Sequence, residues 1–280
     1  MAACYRHPDR ETGVSCSSCG RPICPDCMTP TPVGMRCPEC ARQRTPVRTM
    51  RELYAEPTVT YVLIAANVML FVAELATGGN GSRLVLELTT LGSNVDPQTG
   101  AAIGIAEGQW WRLVTGAFLH DPGNPLHILF NMYLLFALGR MLEPALGHVR
   151  FAALYLAALL AGSFGAIVAQ PHSATLGASG AVFGLMGAAF AMQHARGVDP
   201  RQSGILPLIV LNLVLSFAIP HVAIGGHIGG LIGGGLAAYA MDRVSARRRG
   251  IALPVAICVA VAAVSVAGAI AVSHATAPLG

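Results

Sequence analysis

Residues 176–184 read Leu-Gly-Ala-Ser-Gly-Ala-Val-Phe-Gly, and this short stretch decides the fold that we predict. A single hydroxyl, that of Ser179, stands among glycines and alanines at the start of a longer apolar segment. Gly180, Gly184 and Ala188 follow at four-residue steps, and small residues at this spacing let membrane helices approach closely. We therefore expect a helix that carries Ser179 three or four residues in from its first end and packs tightly against another helix.

The composition of the chain indicates a membrane protein and excludes an ordinary soluble domain. Of its 280 residues, 54% are hydrophobic and 11% are charged, whereas soluble domains carry about 25% charged residues. The mean hydropathy is +0.58. Residues 1–50 are polar and proline-rich, so we expect no signal peptide.

Apolar stretches after residue 57 predict seven helices, since a bilayer-spanning helix needs roughly 20 apolar residues. The predicted ranges are 58–76, 126–142, 150–169, 176–194, 204–220, 223–241 and 251–273. The fold class is therefore an all-α polytopic membrane protein. The loop 77–125 is unusually long, and loops of this length are usually functional or disordered. It contains Trp110, Trp111 and Arg112, two aromatic residues beside a cation, as is typical of a membrane interface.

The arginines between these helices predict the orientation of the chain. If the seven spans alternate, one side receives Arg48, Arg51, Arg140, Arg150, Arg196, Arg201, Arg243 and Arg247–Arg249. The opposite side receives only Arg83 and Arg112, both in the long loop. The positive-inside rule therefore places the N-terminus in the cytoplasm and the C-terminus outside the cell membrane.

Four pairs of metal-ligand residues occupy the first 40 residues. The pairs are Cys4 and His7, Cys16 and Cys19, Cys24 and Cys27, and Cys37 and Cys40. Eight such ligands fill two tetrahedral Zn²⁺ sites and leave no open position, so the predicted zinc is structural and not catalytic. Disulfides are the alternative, and a cytoplasmic location disfavours them.

The spacing leaves two ways to pair these ligands. The short gap between Cys19 and Cys24 suits an interleaved arrangement, in which the first and third pairs share one ion and the second and fourth share the other. Sequential pairing also fits. The module, residues 1–45, resembles a B-box-like zinc finger, which implies a cytosolic protein partner, and no nucleic acid partner is expected. Residues 46–57 then form a basic linker to the membrane.

Polar residues inside the predicted helices indicate chemistry, because such groups are costly within a bilayer. His127 and Asn131 are four residues apart and share one face of the second helix. Ser179 and His227 lie near the same end of the fourth and sixth helices, which enter the membrane from the same side. A serine hydroxyl needs a base to become a nucleophile, and histidine is the usual base.

No carboxylate is placed to complete a triad. The only acids after Ser179 are Asp199 and Asp242. Asp242 lies about 22 Å from His227 along a helix that rises 1.5 Å per residue. We therefore predict a dyad of Ser179 and His227, with oxyanion donors from the Ser179 backbone N–H and the side chains of Asn131 and His127. Glycine stripes at 180–188 and 226–234 would bring the two helices together.

These motifs resemble the rhomboid family of intramembrane serine proteases over residues 58–273. The matching motifs are Trp111-Arg112, His127-x3-Asn131, Gly177-Ala178-Ser179-Gly180, and His227 with Gly230-x3-Gly234. The resemblance implies a six-helix catalytic core over residues 58–250, with a seventh helix and a short extracytoplasmic tail over 251–280. It implies roles for Ser179 as nucleophile, His227 as base, and His127 and Asn131 as oxyanion support.

The resemblance also implies a lateral substrate gate, formed by the fifth helix and the following turn from Phe217 to Val222. Many relatives have a tyrosine at the position of Phe183, packed on the catalytic histidine; the Phe183 ring can stack in the same way but lacks the hydroxyl. The expected activity is cleavage of transmembrane segments near the outer leaflet, with no cofactor for catalysis.

Two other functions fit parts of this pattern. An inactive rhomboid-like protein would bind transmembrane helices without cleaving them. Such a protein is expected to lack Ser179 or His227, and this sequence has both. A transporter would carry paired ionisable groups near the midplane of the bilayer. Only Glu74 is expected within a predicted span, near its outer end, so a transporter is disfavoured.

Overall fold

The computed structural model of the protein describes residues 2–42, 56–96, 99–219, 222–245 and 250–277. These residues fall in two compact units, one within residues 1–54 and one within residues 55–280. Most of the predicted basic linker 46–57 lies outside the described residues, as do the last three residues of the predicted tail.

The first unit is built from very short elements. They are β1 (Ala2–Ala3), β2 (Glu11–Thr12), a 3-10 turn (Pro25–Cys27), β3 (Thr29–Thr31), β4 (Gly34–Arg36) and a helical turn (Pro38–Arg42). The strands form two antiparallel hairpins, β1 with β2 and β3 with β4. Its buried centre consists of Ile23 and six cysteines. So small an apolar centre does not support a fold of this size, and such modules normally depend on metal or disulfides.

In the second unit, the described residues include seven helices longer than ten residues. They are α1 (Thr58–Ala76), α2 (Pro125–Leu146), α3 (His148–Ala169), α4 (Ser179–Ala195), α5 (Ile205–Ala218), α6 (Ile224–Ser245) and α7 (Ala252–Thr276). Each overlaps one predicted helix, so the all-α fold class is confirmed. Among the described residues, α1, α2, α3 and α7 are long and apolar enough to cross a membrane, while α5 is a shorter apolar helix.

Several predicted boundaries differ from the structure by three or four residues, and some of these differences bear on polar residues. The fourth helix begins at Ser179 and not at residue 176, because Gly177 turns the chain with φ +124. The second helix continues past the predicted end at residue 142 and includes Glu143 and Pro144. The sixth helix likewise continues past residue 241 to Ser245 and includes Asp242. Glu143 and Asp242 therefore also lie within long helices, contrary to the expectation that Glu74 would be alone.

Glu143 is fully buried and joins α2 to α1. Its carboxylate accepts hydrogen bonds from the backbone N–H groups of Val59 and Thr60, each at 2.8 Å, and from the Thr60 hydroxyl at 2.6 Å. His148 lies 2.6 Å from the same carboxylate. The free N–H groups at the start of a helix need acceptors, so this side chain caps α1 from within a neighbouring helix.

Helices α3, α4 and α6 form the centre of the second unit, and glycines line their contacts. A Cβ atom on Gly230 would overlap the Gly180 carbonyl, and one on Gly234 would overlap the Gly184 backbone. This contact between α4 and α6 confirms the predicted meeting of the two glycine stripes. The stripe on α3 was not predicted: a Cβ on Gly162 would lie 3.0 Å from Gly180 and 3.2 Å from the Gly226 carbonyl oxygen.

The long loop between α1 and α2 has its own secondary structure. It contains two short helices (Arg83–Leu88 and Arg112–Thr115), the hairpin of β5 (Asn94–Val95) and β6 (Ala102–Ile103), and 3-10 turns at Gly79–Gly81, Ile105–Glu107 and Gly116–Phe118. The described residues of the loop therefore form regular secondary structure and belong to the second unit; residues 97 and 98 lie outside the described residues.

Arg112 holds this loop together from inside. Its side chain is 1% exposed, and the guanidinium donates to the carbonyl oxygens of Leu86 at 2.7 Å and Thr89 at 3.1 Å. It also donates to Gln109 Oε1 at 2.7 Å. Arg112 is therefore not the exposed interfacial cation that the sequence suggested, whereas Trp110 and Trp111 are exposed.

We expect Gly230→Ala to destabilise the protein by about 1–3 kcal/mol, the usual cost of overpacking a tight contact. The added Cβ would meet the backbone of α4, which no side-chain rotation can relieve. Thermal unfolding in detergent measures this effect.

The matched control is Gly235→Ala on the same helix, where the added Cβ would lie 3.4 Å from the Gly187 carbonyl oxygen, an ordinary contact. Alanine is the better helix former, so this variant should be neutral or more stable by up to about 1 kcal/mol. Equal losses in both variants would contradict the packing described above.

Candidate active site and metal sites

Ser179 is the first residue of α4, and the long loop fixes the segment that leads into it. Thr175 and Thr90 exchange two backbone hydrogen bonds at 2.8 and 2.9 Å, and the Gly177 N–H donates to the Gly116 carbonyl at 3.0 Å. The N–H of Ser179 is among the first four of its helix, which have no acceptor within the helix. The serine therefore presents both a hydroxyl and a free backbone donor.

His227 approaches this hydroxyl from α6. Its Nε2 atom lies 2.7 Å from Ser179 Oγ, which is hydrogen-bond distance. The imidazole is 7% exposed, and the Phe183 ring stacks on it with 4.2 Å between centroids and 17° between planes. The structure thus brings together the two side chains predicted as a dyad, and Phe183 stacks as expected.

A serine that no motif indicated lies on the other side of the imidazole. Ser216 Oγ, on α5, is 2.6 Å from His227 Nδ1. The same oxygen is 2.7 Å from the Asn212 carbonyl oxygen, one turn earlier on α5. No charged residue marks this contact in the sequence, because the partner of His227 is an uncharged serine in a mostly apolar helix.

The carboxylates considered from the sequence lie elsewhere. Asp242 is 3.9 Å from the Arg196 guanidinium, an ion pair at the opposite end of α6 from His227. Glu74 is fully buried near the end of α1 and accepts the backbone N–H of His120 at 3.1 and 3.2 Å. Within the described residues, none of the hydrogen bonds of His227 is made with a carboxylate.

His127 borders the site and offers it a donor. A Cβ atom on Gly177 would lie 2.8 Å from His127 Nε2 and 3.7 Å from Ser179 Oγ, so both side chains face the same small space. The Asp121 N–H donates to His127 Nδ1 at 3.4 Å. Because Nδ1 accepts in that bond, the neutral ring carries its proton on Nε2, which faces the site.

Asn131 is buried one turn further along the same face of α2. Its amide Nδ2 donates to the His127 carbonyl oxygen at 2.9 Å. One of its two N–H groups is therefore used within its own helix, and the second is left for another acceptor. Among the described contacts, the structure does not join Asn131 to Ser179 by a hydrogen bond.

His120 packs beside His127 and was not predicted as part of the site. The two ring centroids are 5.1 Å apart, and both ring nitrogens of His120 are buried without a hydrogen-bond partner among the described residues. Burial, and then the neighbouring His127 ring, lower the pKa of His120 to about 3. The ring is therefore neutral at physiological pH and packs as an uncharged group.

A small cavity of about 30 Å³ lies beside the serine and the histidine, lined also by Gly116, Gly162 and Ser163. A cavity needs about 10–15 Å³ of this kind of space to hold one water molecule. There is room for water next to Ser179, and too little for a peptide segment in this conformation.

The first unit brings its eight predicted ligands together in two sets. One set is Cys4, His7, Cys24 and Cys27, and the other is Cys16, Cys19, Cys37 and Cys40, with ligand atoms in each set within 4.8 Å of one another. This is the interleaved arrangement, so sequential pairing is wrong. None of the eight cysteines, all of which lie within the described residues, forms a disulfide.

The distances and charges of these sets fit a tetrahedral metal ion. Zinc–sulfur bonds of about 2.3 Å place neighbouring sulfurs about 3.8 Å apart in a tetrahedron, and Cys19 Sγ and Cys37 Sγ are 3.8 Å apart. Burial disfavours the Cys4 thiolate, but hydrogen bonds from nearby backbone lower its pKa to about 6. Burial and the adjacent thiols raise the pKa of Cys27 to about 11. Without a cation, these two cysteines of one set favour opposite protonation states. A divalent cation would favour the thiolate of both, because it stabilises several thiolates at once.

The fold and the site together define a class of protein: a polytopic helical membrane protein that holds a serine hydroxyl against a histidine, the pairing of a serine hydrolase. A sequence model of the Rhomboid domain matches residues 107–244. The chain is 33% identical over 157 residues to YdcA of Bacillus subtilis, a rhomboid protease by name, and this match covers 55% of the chain and 78% of YdcA. The chain belongs to the rhomboid family of intramembrane serine proteases.

Two further relatives each match part of the chain. The rhomboid protease GluP of Bacillus subtilis is 36% identical over 195 residues, which are 66% of this chain and only 35% of GluP. RHOMBOID-like protein 5 of Arabidopsis thaliana is 35% identical over 137 residues, 46% of this chain and 43% of the relative. The chain thus spans well under half the length of these two relatives.

The interleaved ligand sets predict which cysteine substitutions remove one ion and which affect both. Changing Cys4 and Cys24 together to serine removes two ligands from one set, so about one metal ion per chain should remain. Changing Cys4 and Cys16 together takes one ligand from each set and should weaken both sites. Elemental analysis of zinc-loaded, desalted protein measures the difference.

The two double variants control for each other, since each removes two thiols. Sequential pairing would reverse their order, leaving more metal in the variant with Cys4 and Cys16 changed. That reversed order would contradict the structure.

Proposed function

We propose that this protein is an intramembrane endopeptidase in which Ser179 is the nucleophile and His227 is the general base and then the general acid. The observation that carries the proposal is the 2.7 Å contact between His227 Nε2 and Ser179 Oγ. Serine and histidine in such contact form the activated nucleophile of many hydrolases, and membership of the rhomboid family supports this activity.

The reaction proceeds by acyl transfer. His227 accepts the hydroxyl proton as Ser179 Oγ attacks the peptide carbonyl, and then donates it to the leaving amine as the peptide bond breaks. Water from the cavity beside Ser179 attacks the acyl-enzyme, again with His227 as base. The donors proposed for the oxyanion are the Ser179 N–H, His127 Nε2–H and the second N–H of Asn131.

The proposed substrates are transmembrane segments that contain helix-breaking residues. A stable helix uses all its carbonyls in hydrogen bonds, so a segment must locally unfold before Ser179 can reach one. We propose that it enters past α5, with Phe217 and Val222 at the gate; residues 220–221 of the predicted gate lie outside the described residues. Phe217 is 66% exposed, and Val210, Leu211, Val214 and Leu215 of α5 are also exposed, so this side of α5 does not pack against the rest of the described unit.

The first unit is proposed to be a structural zinc module over residues 1–45 that contacts a cytosolic protein partner. Both ligand sets consist of thiolates and imidazole, the ligands that zinc prefers in structural sites. The other proposed boundaries are the linker 46–57, the six-helix catalytic core 58–250, and the seventh helix with its tail, 251–280. The N-terminus is proposed to be cytoplasmic and the C-terminus extracytoplasmic.

Ser179→Ala should abolish cleavage of a single-pass reporter substrate by purified protein, because no other hydroxyl in the described part of the chain contacts His227 Nε2. Labelling by a fluorophosphonate should be lost with it. The kinetic measure is product formation in detergent or proteoliposomes, and a loss of at least about a thousandfold is expected from the subtilisin-type serine-to-alanine effect.

Ser173→Ala is the control for this experiment, since Ser173 is exposed in the loop before α4 and should cleave and label as the unchanged protein does. If Ser179→Ala still cleaves the reporter, the assignment of the nucleophile is wrong. If the unchanged protein binds the substrate segment without cleaving it, the chain is a binding protein.

The proposed orientation predicts opposite behaviour for two reporter fusions. Alkaline phosphatase fused after residue 280 should be active in bacterial cells, because the enzyme folds only outside the cytoplasm. The same reporter fused after residue 250, at the cytoplasmic end of α6, should be inactive. Activity in the second fusion and not in the first would contradict the positive-inside assignment.

A further inference from the structure

The buried hydroxyl of Ser216 makes two hydrogen-bond contacts, and together they determine where its proton lies. Its oxygen is 2.6 Å from His227 Nδ1 and 2.7 Å from the Asn212 carbonyl oxygen. A carbonyl can only accept, so the single hydroxyl proton of Ser216 goes to Asn212. The same oxygen then accepts the N–H of His227 Nδ1.

This proton arrangement determines the tautomer of the imidazole. A neutral histidine carries a proton on only one ring nitrogen. With that proton on Nδ1, Nε2 has a free lone pair directed at Ser179 Oγ, 2.7 Å away. This is the tautomer that a general base needs, and the other tautomer could not accept the serine proton.

Ser216 differs from other buried serines of the membrane helices in its second contact. Ser265 and Ser273 on α7 also donate to the carbonyl one turn earlier, at 2.8 and 2.7 Å. A back-bond of this kind satisfies a serine in an apolar helix without any further role. Ser216 makes the same back-bond, and its oxygen in addition accepts the N–H of His227 Nδ1.

The position of Ser216 on α5 also points to a specific role. Only Ile205, Ile209 and Ser216 are buried among the residues of α5, and Ser216 is 3% exposed. The neighbouring Phe217 and Leu215 face outward. Near the C-terminal end of α5, the Ser216 hydroxyl therefore points into the protein, where it contacts His227.

We propose that Ser216 is a positioning residue that holds His227 in its reactive tautomer and orientation. The inference rests on the proposed roles of Ser179 and His227. Ser216 takes the place that a carboxylate has in a serine–histidine–aspartate triad, but as a neutral acceptor it leaves no uncompensated charge in the membrane. Phe183 restrains the plane of the ring, and Ser216 restrains its rotation within that plane.

The test compares three variants at position 216, and one control variant at position 265, with the unchanged protein. Ser216→Ala should lower kcat for a single-pass reporter by roughly five- to tenfold, the effect of losing one neutral hydrogen bond, with KM within about twofold. The rate of fluorophosphonate labelling should fall by a similar factor, because it depends on the same activated hydroxyl. Ser216→Thr, which keeps the hydroxyl, should restore most of both rates.

Ser216→Val completes the series because valine has the shape of threonine without its hydroxyl. It should be as slow as Ser216→Ala. Thermal unfolding of each variant shows whether it is folded; if Ser216→Ala unfolds, the threonine and valine variants still separate loss of the hydroxyl from a change of shape. Ser265→Ala on α7 loses the same back-bond without touching His227 and should keep its kcat.

Three results would overturn the proposal: an unchanged kcat in Ser216→Ala, equal losses in the threonine and valine variants, or an equal loss in Ser265→Ala. None of these affects the assignment of the nucleophile, which Ser179→Ala tests separately. A protein in which Ser179→Ala is inactive and Ser216→Ala is fully active would keep its proposed function and lose only this inference.

Discussion

The close approach of α4 and α6 is the constraint on which the second unit depends. At Gly180 and Gly230 the two backbones are so near that no Cβ atom fits between them. A hydroxyl and an imidazole are short side chains, and they can meet at 2.7 Å only if their helices nearly touch. Helix α3 contributes Gly162 to the same contact, so three helices converge beside the serine. The close packing of these helices and the contact between Ser179 and His227 therefore both depend on glycines at the helix contacts.

A second constraint is that a polar group buried in this apolar interior is costly without a partner, and among the described residues the ring nitrogens of His120 are an exception. Glu143 caps the start of α1, and Arg112 holds the carbonyls of the long loop. Both side chains form hydrogen bonds with backbone groups that would otherwise need water as a partner. Through the Thr90 and Gly116 contacts, the loop in turn fixes the segment before Ser179. The site thus depends on a chain of satisfied polar groups that extends from the loop to the start of α4.

The sequence predicted the seven helices, the meeting of the two glycine stripes and the approach of Ser179 to His227, because hydropathy and small-residue spacing are local signals. It did not predict that Ser179 begins its helix, since this depends on the positive φ at Gly177. The role of Arg112 was mistaken, because burial of a cation by a loop follows from tertiary contacts. Ser216 was missed for a related reason: its partner is distant in sequence, and a lone serine in an apolar helix carries no motif. The ligand pairing of the first unit was left open, and only the fold separates the two possibilities.

The interleaving of the two metal-ligand sets has a consequence for the order of assembly. Each set takes one pair of ligands from residues 1–20 and one pair from residues 21–40. Neither half of the module therefore contains a complete site. Both sets are nevertheless complete once Cys40 has been made, before Thr58, where α1 begins. Because chains are synthesised from the N-terminus, the module can take up metal and fold while the membrane helices are still being made. On the proposed zinc assignment, metal loading can therefore come before membrane insertion.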